Sequence, residues 1–210
     1  MHRGDGDPAD RHLRTGTLDG PCGAAQTAGV IDLRILAPAD PDDWPLWRDA
    51  RRAALRDAPH AFKIRLSDWS TGGEEEWRSR FGRRDAVHVV AVSADGRPVG
   101  LAGGIPSPGR DGVGELRSLW VAPEARGRRT GDRLLAAVET WARRTGRTSL
   151  RLAVLAGNTS AEALYRRNGF TGADRPDVPD RPAGGGAPGP ERAFGERVMV
   201  KRLASVVPER

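Results

Sequence analysis

Apolar positions change their period along this chain, and the changes mark its elements. From Val30 to Leu36 they alternate, the spacing of a half-buried strand. From Asp40 onward Trp44, Trp47, Ala50, Ala54 and Leu55 recur at helical spacing, the stripe of an amphipathic helix. Pro59-His60-Ala61-Phe62 breaks that helix, and a second, shorter one is predicted from Gly73 to Phe81. Val87–Ser93 and Pro98–Ile105 flank Asp95-Gly96, a pair that accepts hairpin-turn geometry, so these runs are predicted to form a hairpin. A fourth strand is predicted over Gly112–Val121. The helix after it carries Leu134, Leu135, Val138 and Trp141, with Gly146 as a stop signal. A fifth strand over Ser149–Leu155, a helix opened by Asn158, and two last strands at Phe170–Ala173 and Arg197–Leu203 complete the order. Such an order predicts one mixed sheet with helices on both faces, an α/β layered domain.

The ends and one internal stretch lack periodicity. Residues 1–29 are rich in Gly, Asp, Arg and Thr and are predicted to be a disordered extension. Residues 176–192 are Pro/Gly-rich and are predicted to be a mobile insert. The domain is therefore expected to span 30–204, with a tail at 205–210.

A chain of 210 residues suits one domain with tails and a sizeable core. Its net charge of +6 is compatible with a solvated, Arg-rich surface or with an anionic ligand. Between Ala122 and Arg151 stand eight arginines against Glu124, Asp132 and Glu139. Nucleic acid is the weaker explanation, since there is no zinc spacing, aromatic RNA-binding strand or helix-turn-helix pattern. Cys22 is the only cysteine, so an internal disulfide is excluded and a reducing cytoplasm fits. No apolar run approaches membrane-spanning length, and the first residues lack the apolar core of a secretory signal. His60 and His88 are isolated, and no metal is expected.

The most informative stretch is Leu119–Gly131. A β-like run meets Pro123, then a basic, glycine-containing turn, then an amphipathic helix. Helix-start N–H groups have no intrahelical partner, and the helix dipole adds positive potential, so the turn can cradle a phosphate or pyrophosphate. A Gly-Lys-Ser/Thr ending and three spaced glycines are both absent, so this is neither of the common nucleotide loops.

The stretch resembles the acetyl-CoA-binding segment of the GCN5-related N-acetyltransferases, the GNAT family, which reads Val-x-Pro-x-x-Arg/Gln-x-x-Gly-x-Gly/Ala. Val121, Pro123, Arg126 and Gly131 match, and Arg129 replaces the inner glycine. Either the loop keeps its shape with Arg129 pointing outward, or pyrophosphate binding is weakened. Downstream, Asn158, Ala161, Tyr165 and Gly169-Phe170 are similar to the family's Asn-x-x-Ala-x-x-x-Tyr-x-x-x-Gly-Phe. Asp57-Ala-Pro-His-Ala-Phe62 followed by Trp77 is a third, weaker likeness.

The resemblance implies a mostly antiparallel sheet of about seven strands in which the fourth and fifth splay apart. It implies acetyl-CoA as cosubstrate and an amine as acceptor, with Leu119, Trp120, Val121, Arg126, Gly127, Arg128, Arg129, Thr130, Gly131, Asn158 and Tyr165 against the cofactor. A non-catalytic acyl-CoA-binding module is the alternative, and a homodimer is compatible with either. Acetyl transfer to an amine needs a donor for the carbonyl oxygen and relief from two proton problems. The amine is protonated at neutral pH, and the departing thiolate benefits from a proton. Val121 N–H is the implied oxyanion donor, against an ordinary paired strand residue. Tyr165, the only tyrosine, is the implied acid toward sulfur, against a core aromatic. Glu115 is the implied base or water-holding carboxylate, against an ion pair with Arg117. Strand parity groups Glu115 with Arg117, Leu119 and Val121 unless a bulge shifts it. Trp47, Phe62 and Trp77 are candidate acceptor-pocket walls, although aromatics at helical spacing are more often core. Ser118, Ser160 and Cys22 show no nucleophile–base arrangement, which favours direct attack in a ternary complex.

Overall fold

The computed structural model describes residues 30–62, 65–173 and 195–204, with the backbone but not the side chains of 68–73. The extension 1–29 with Cys22, the insert 176–192 and the tail 205–210 lie outside the described residues.

Seven strands among them form one sheet: β1 (Asp32–Leu36), β2 (Val87–Val92), β3 (Pro98–Pro106), β4 (Val113–Val121), β5 (Ser149–Leu155), β6 (Thr171–Gly172) and β7 (Glu196–Arg202). Their order across the sheet is β1-β2-β3-β4-β5-β7-β6. Neighbours are antiparallel except β4 and β5, which run parallel. A parallel pair needs a crossover, and helix α3 (Thr130–Arg144) supplies it. The other helices are α1 (Asp43–Asp57), α2 (Leu66–Phe81) and α4 (Thr159–Arg167). Helix α2 is longer than its sequence suggests, because Thr71-Gly72-Gly73 reads as a break. A glycine inside a helix costs only about 1 kcal/mol relative to alanine. Leu66 at one end packs on the core and Trp77 and Phe81 are buried at the other, and this tertiary packing outweighs the glycines.

Strand parity assigns the helices to faces. Ala91 pairs with Gly100 and His88 with Gly103, so Gly100 and Gly104 share one face and His88 the other. Helix α3 lies against the glycine face. A Cβ at Gly104 would stand 2.8 Å from the Trp141 ring, and one at Gly100 2.9 Å from Leu134 Cδ1. Leu134, Leu135 and Val138 are fully buried there, each contributing about 1.5–3 kcal/mol. On the opposite face Trp47 and Phe81 hold their rings 5.5 and 5.1 Å from the His88 ring. Burial pushes the His88 imidazole down to about 4, against the opposing pull of the Phe81 and Arg80 backbone.

Two irregularities of β4 prepare the site. Its pairing with β5 covers only Val113–Glu115 against Ser149–Arg151, while β5 stays paired with β7 from Ser149 to Leu155. The two central strands therefore part beyond Glu115. On its other side Trp120 faces Leu101 and Arg117 faces Gly103, so Ser118 and Leu119 both oppose Ala102. This is a β-bulge with Ser118 in the left-handed region at φ 58. The extra residue corrects the simple parity: Glu115 and Arg117 share a face with Trp120, whereas Val121 joins the face of Gly100 and α3.

Candidate functional site

A cavity of about 1080 Å³ opens where β4 and β5 part. Leu119, Trp120 and Val121 form its floor, and the turn Arg126–Gly131 with the start of α3 forms one side. Asn158, Ala161 and Leu164 of α4 form another, and Asp57, Ala58, His60, Ala61 and Phe62, where α1 ends, complete the lining.

The basic turn has the shape expected of an anion cradle. Pro123–Ala125 make one 3-10 turn, and Thr130 Oγ1 donates to the Ala125 carbonyl at 3.0 Å, pinning the loop. Gly127 and Arg129 take φ 74 and φ 57. The first helical N–H bond of α3 runs from Arg133 to the Arg129 carbonyl, leaving the N–H groups of Thr130, Gly131 and Asp132 outside the ladder. These donors and the dipole behind them fit a pyrophosphate. Arg129 keeps the left-handed backbone that a glycine would adopt there, with its side chain exposed. That conformation costs a non-glycine residue roughly 1–2 kcal/mol. Arg128 is exposed and outside the cavity lining.

Asp132 sets a negative charge in the first turn facing that site. Arg167 answers it with Nε and Nη2, each 2.8 Å from a carboxylate oxygen, and Asn168 Nδ2 adds a bond at 2.7 Å. The Arg167 hydrogen bonds hold the Asp132 carboxyl down at about 2. The same fork ties the C-terminal end of α4 to the N-terminal end of α3.

At the strand end, Ala122 N–H donates to the Val99 carbonyl at 2.9 Å. Antiparallel alternation therefore turns Val121 N–H away from β3, toward the side where β5 has departed. Arg126 folds back over this point. Its Nε donates to the Val121 carbonyl at 3.0 Å and its Nη2 reaches Asp57 at 2.7 Å. Asp57 also accepts from Trp120 Nε1 at 2.9 Å.

A model of the acetyltransferase (GNAT) family matches residues 46–170. The chain belongs to the GNAT family. Mycothiol acetyltransferase of Arthrobacter sp. (strain FB24) is 31% identical over 159 residues, 74% of this chain and 47% of that protein. The chain thus spans less than half the length of the curated relatives it first matches. A GCN5-related N-acetyltransferase from Kribbella flavida aligns at 28% identity and a TM-score of 0.57, covering 82% of this chain and 98% of that one. The paia N-acetyltransferase of Thermoplasma acidophilum, solved with coenzyme A, aligns at 21% identity and a TM-score of 0.58, covering 82% and 99%. At that identity the likeness speaks for the fold alone.

The remaining GNAT-motif residues are not all gathered at the cavity. Asn158 lines it and caps α4, its Oδ1 accepting from Ala161 N–H at 3.2 Å. Tyr165 is buried 5.9 Å from the Phe170 ring and is not among the lining residues; burial pushes its phenol up to about 12, so it stays protonated. Glu115 lies 2.9 Å from Arg117 Nε and 4.0 Å from Arg151 Nη1, also outside the lining. Of the aromatic candidates Phe62 lines the cavity. Trp47 and Trp77, 6% and 2% exposed, lie instead in the core, where their rings meet each other and Trp47 also meets Phe81 and His88.

Sequence reasoning missed Asp57 and the Asp132–Arg167–Asn168 cluster. Asp57 meets its partners across 63 and 69 residues of chain, a separation no local pattern reports. An acid in the first turn of a phosphate-facing helix did carry a signal, since it requires a cation nearby. Among the described residues no group of three or more His, Cys, Asp or Glu is placed to hold a metal, and no helix is long and apolar enough to cross a membrane.

Proposed function

We propose that this chain is an acetyl-CoA-dependent N-acetyltransferase that moves an acetyl group to an amine by direct attack in a ternary complex. The observation that carries this reading is a single cavity joining an anion-cradling turn to the unpaired end of β4. Relatives named for mycothiol, amino-acid and aminoglycoside acetylation share the acetyl transfer and differ in acceptor.

Bound acetyl-CoA supplies an acetyl group activated as a thioester. The N–H groups at the start of α3 and the surrounding arginines hold its phosphates. Val121 N–H, turned toward the gap, donates to the carbonyl oxygen as charge develops there. Tyr165, kept protonated by burial, is the proposed donor to the departing sulfur, a role that requires its hydroxyl to reach the cavity it does not line in the free protein. The proton lost by the attacking amine passes through a water to Glu115, whose carboxylate lies outside the cavity lining beside Arg117. Ser118 is not a nucleophile in this scheme, since its Oγ accepts from Arg51 at 3.0 Å. We keep the cytoplasm as the expected compartment.

Arg129 at the inner-glycine position favours a second reading, an acyl-CoA-binding module without catalysis. Calorimetric titration with coenzyme A and an acetylation assay across an amine panel separate the two. Binding with product supports the enzyme, binding without product supports the module, and no binding at millimolar coenzyme A sinks both.

A further inference from the structure

Arg51 is a buried cation that the proposed chemistry leaves unused. It lies on α1, 6% exposed, and burial lowers its guanidinium pKa to about 10. Buried guanidinium groups normally face a carboxylate. This one faces none among the described residues. Its Nη1 donates to Ser118 Oγ at 3.0 Å, and its Cζ sits 4.8 Å from the Phe62 ring centroid and 5.6 Å from that of Trp77. The nearby charge is Arg80, a second cation that is ion-paired to Glu76 and whose guanidinium stacks on the same Trp77 ring at 5.2 Å. Asp57, a carboxylate of the cavity lining, is ion-paired to Arg126 of the turn. Among the described residues the one hydrogen bond seen for the Arg51 guanidinium is that of Nη1.

The position matters as much as the missing partner. Ser118 is the left-handed residue of the β4 bulge, and the next residue, Leu119, lines the cavity as Phe62 does. Arg51 itself is not among the lining residues; it stands behind the wall, against Phe62, which lines the cavity, and against Ser118, the neighbour of the lining Leu119. A ligand held at that turn by its phosphates presents its reactive end toward Val121, so what enters from the Phe62 end is the acceptor.

We infer that the acceptor carries a carboxylate as well as its amine, and that Arg51 is the residue that recognises it. The guanidinium fork matches a carboxylate with two parallel hydrogen bonds and supplies the charge its own fold leaves unanswered. The acceptor class is thus amino acids or peptides with a free carboxyl group near the reacting amine. A simple alkylamine or a polyamine would bring the Arg51 cation no anion and only like charge.

This inference rests on the acetyl-transfer reading, so its test has an arm that does not need turnover. The first arm compares kcat/KM for amino acids with their primary amides in the wild type, Arg51→Lys and Arg51→Leu. The second measures binding of N-acetyl amino acids and of the matching N-acetyl amides to coenzyme A-saturated protein. A charge-assisted pair predicts a carboxylate preference of roughly ten- to hundredfold in both arms. That preference should shrink in Arg51→Lys and vanish in Arg51→Leu. Coenzyme A titration of each variant reports whether it is folded, and should Arg51→Leu not fold, Arg51→Lys carries the comparison. Equal handling of acid and amide by the wild type overturns the inference, as does a preference that survives loss of the guanidinium. If no amine is acetylated, the transfer reading fails and the binding arm still decides whether Arg51 selects a carboxylate.

Discussion

Replacing Arg129 by glycine tests whether the phosphate turn is strained and whether its extra guanidinium has a use. The residue sits at φ 57 and ψ 19 with an exposed side chain. Relief of the left-handed backbone is worth roughly 1–2 kcal/mol. Glycine returns part of this through its more flexible unfolded chain, about 0.4–1 kcal/mol. The net expectation is stabilisation of about 0.5–1 kcal/mol, a rise of a few degrees in Tm for a domain of this size. Arg129→Ala is the control, because it removes the charge and keeps the Cβ. Thermal denaturation of the free proteins should rank glycine above wild type, with alanine close to wild type. Coenzyme A titration then isolates the side chain. If both variants bind coenzyme A as tightly as wild type, Arg129 is tolerated only for its exposure. If both weaken by about 1.5–3 kcal/mol, the guanidinium contacts a phosphate and the departure from the family pattern is an adaptation. A glycine variant no more stable than the alanine variant would refute the strain argument, whatever the titrations show.

Three further expectations follow from the same geometry. His88 is neutral in the core with its pKa lowered from 6.5 to about 4, so protons favour the unfolded chain. Its contribution is complete above pH 6.5 and is lost as pH falls toward 4, with about 2 kcal/mol gone by pH 5; denaturant melts of wild type and His88→Leu between pH 8 and 5 check this, and identical slopes would dismiss it. Tyr165→Phe keeps the ring beside Phe170 and should lower kcat by roughly 10²–10⁴-fold with coenzyme A affinity little changed. Unchanged turnover with chemistry rate-limiting removes the acid role, and a large loss of Tm marks the residue as structural. Arg167→Met bares the Asp132 carboxylate beneath the phosphate site and should weaken coenzyme A roughly tenfold, while Asp132→Asn should not; equal affinities in the two variants would separate this fork from cofactor binding.

Much of the architecture was legible in the residues because periodicity reports burial directly. The alternation read at Val30–Leu36, the apolar stripes of α1 and α3, and the Asp95-Gly96 turn between β2 and β3 each express a local constraint. The turn at Arg126–Gly131 was readable for the same reason, since a strand end, a proline and a helix start are consecutive in the chain. What the tertiary structure decided are relations between distant segments. The bulge at Ser118 depends on how β4 registers against β3, and one extra residue there moved Val121 to the opposite face from Glu115. Packing carried α2 through Gly72 and Gly73, whose local preference is to stop a helix. Trp47 and Trp77 carry no mark that separates pocket from core; their burial depends on α1 and α2 meeting, with His88 of β2 against Trp47. Arg51 follows the same logic. In the sequence it is one arginine of an Arg-rich helix, and only its placement among Ser118, Phe62 and Trp77 makes it a buried cation without a carboxylate. Local sequence determines which elements form, because backbone propensity and solvent exposure act over a few residues. The meeting of charges and rings across the fold is a property of the folded chain as a whole.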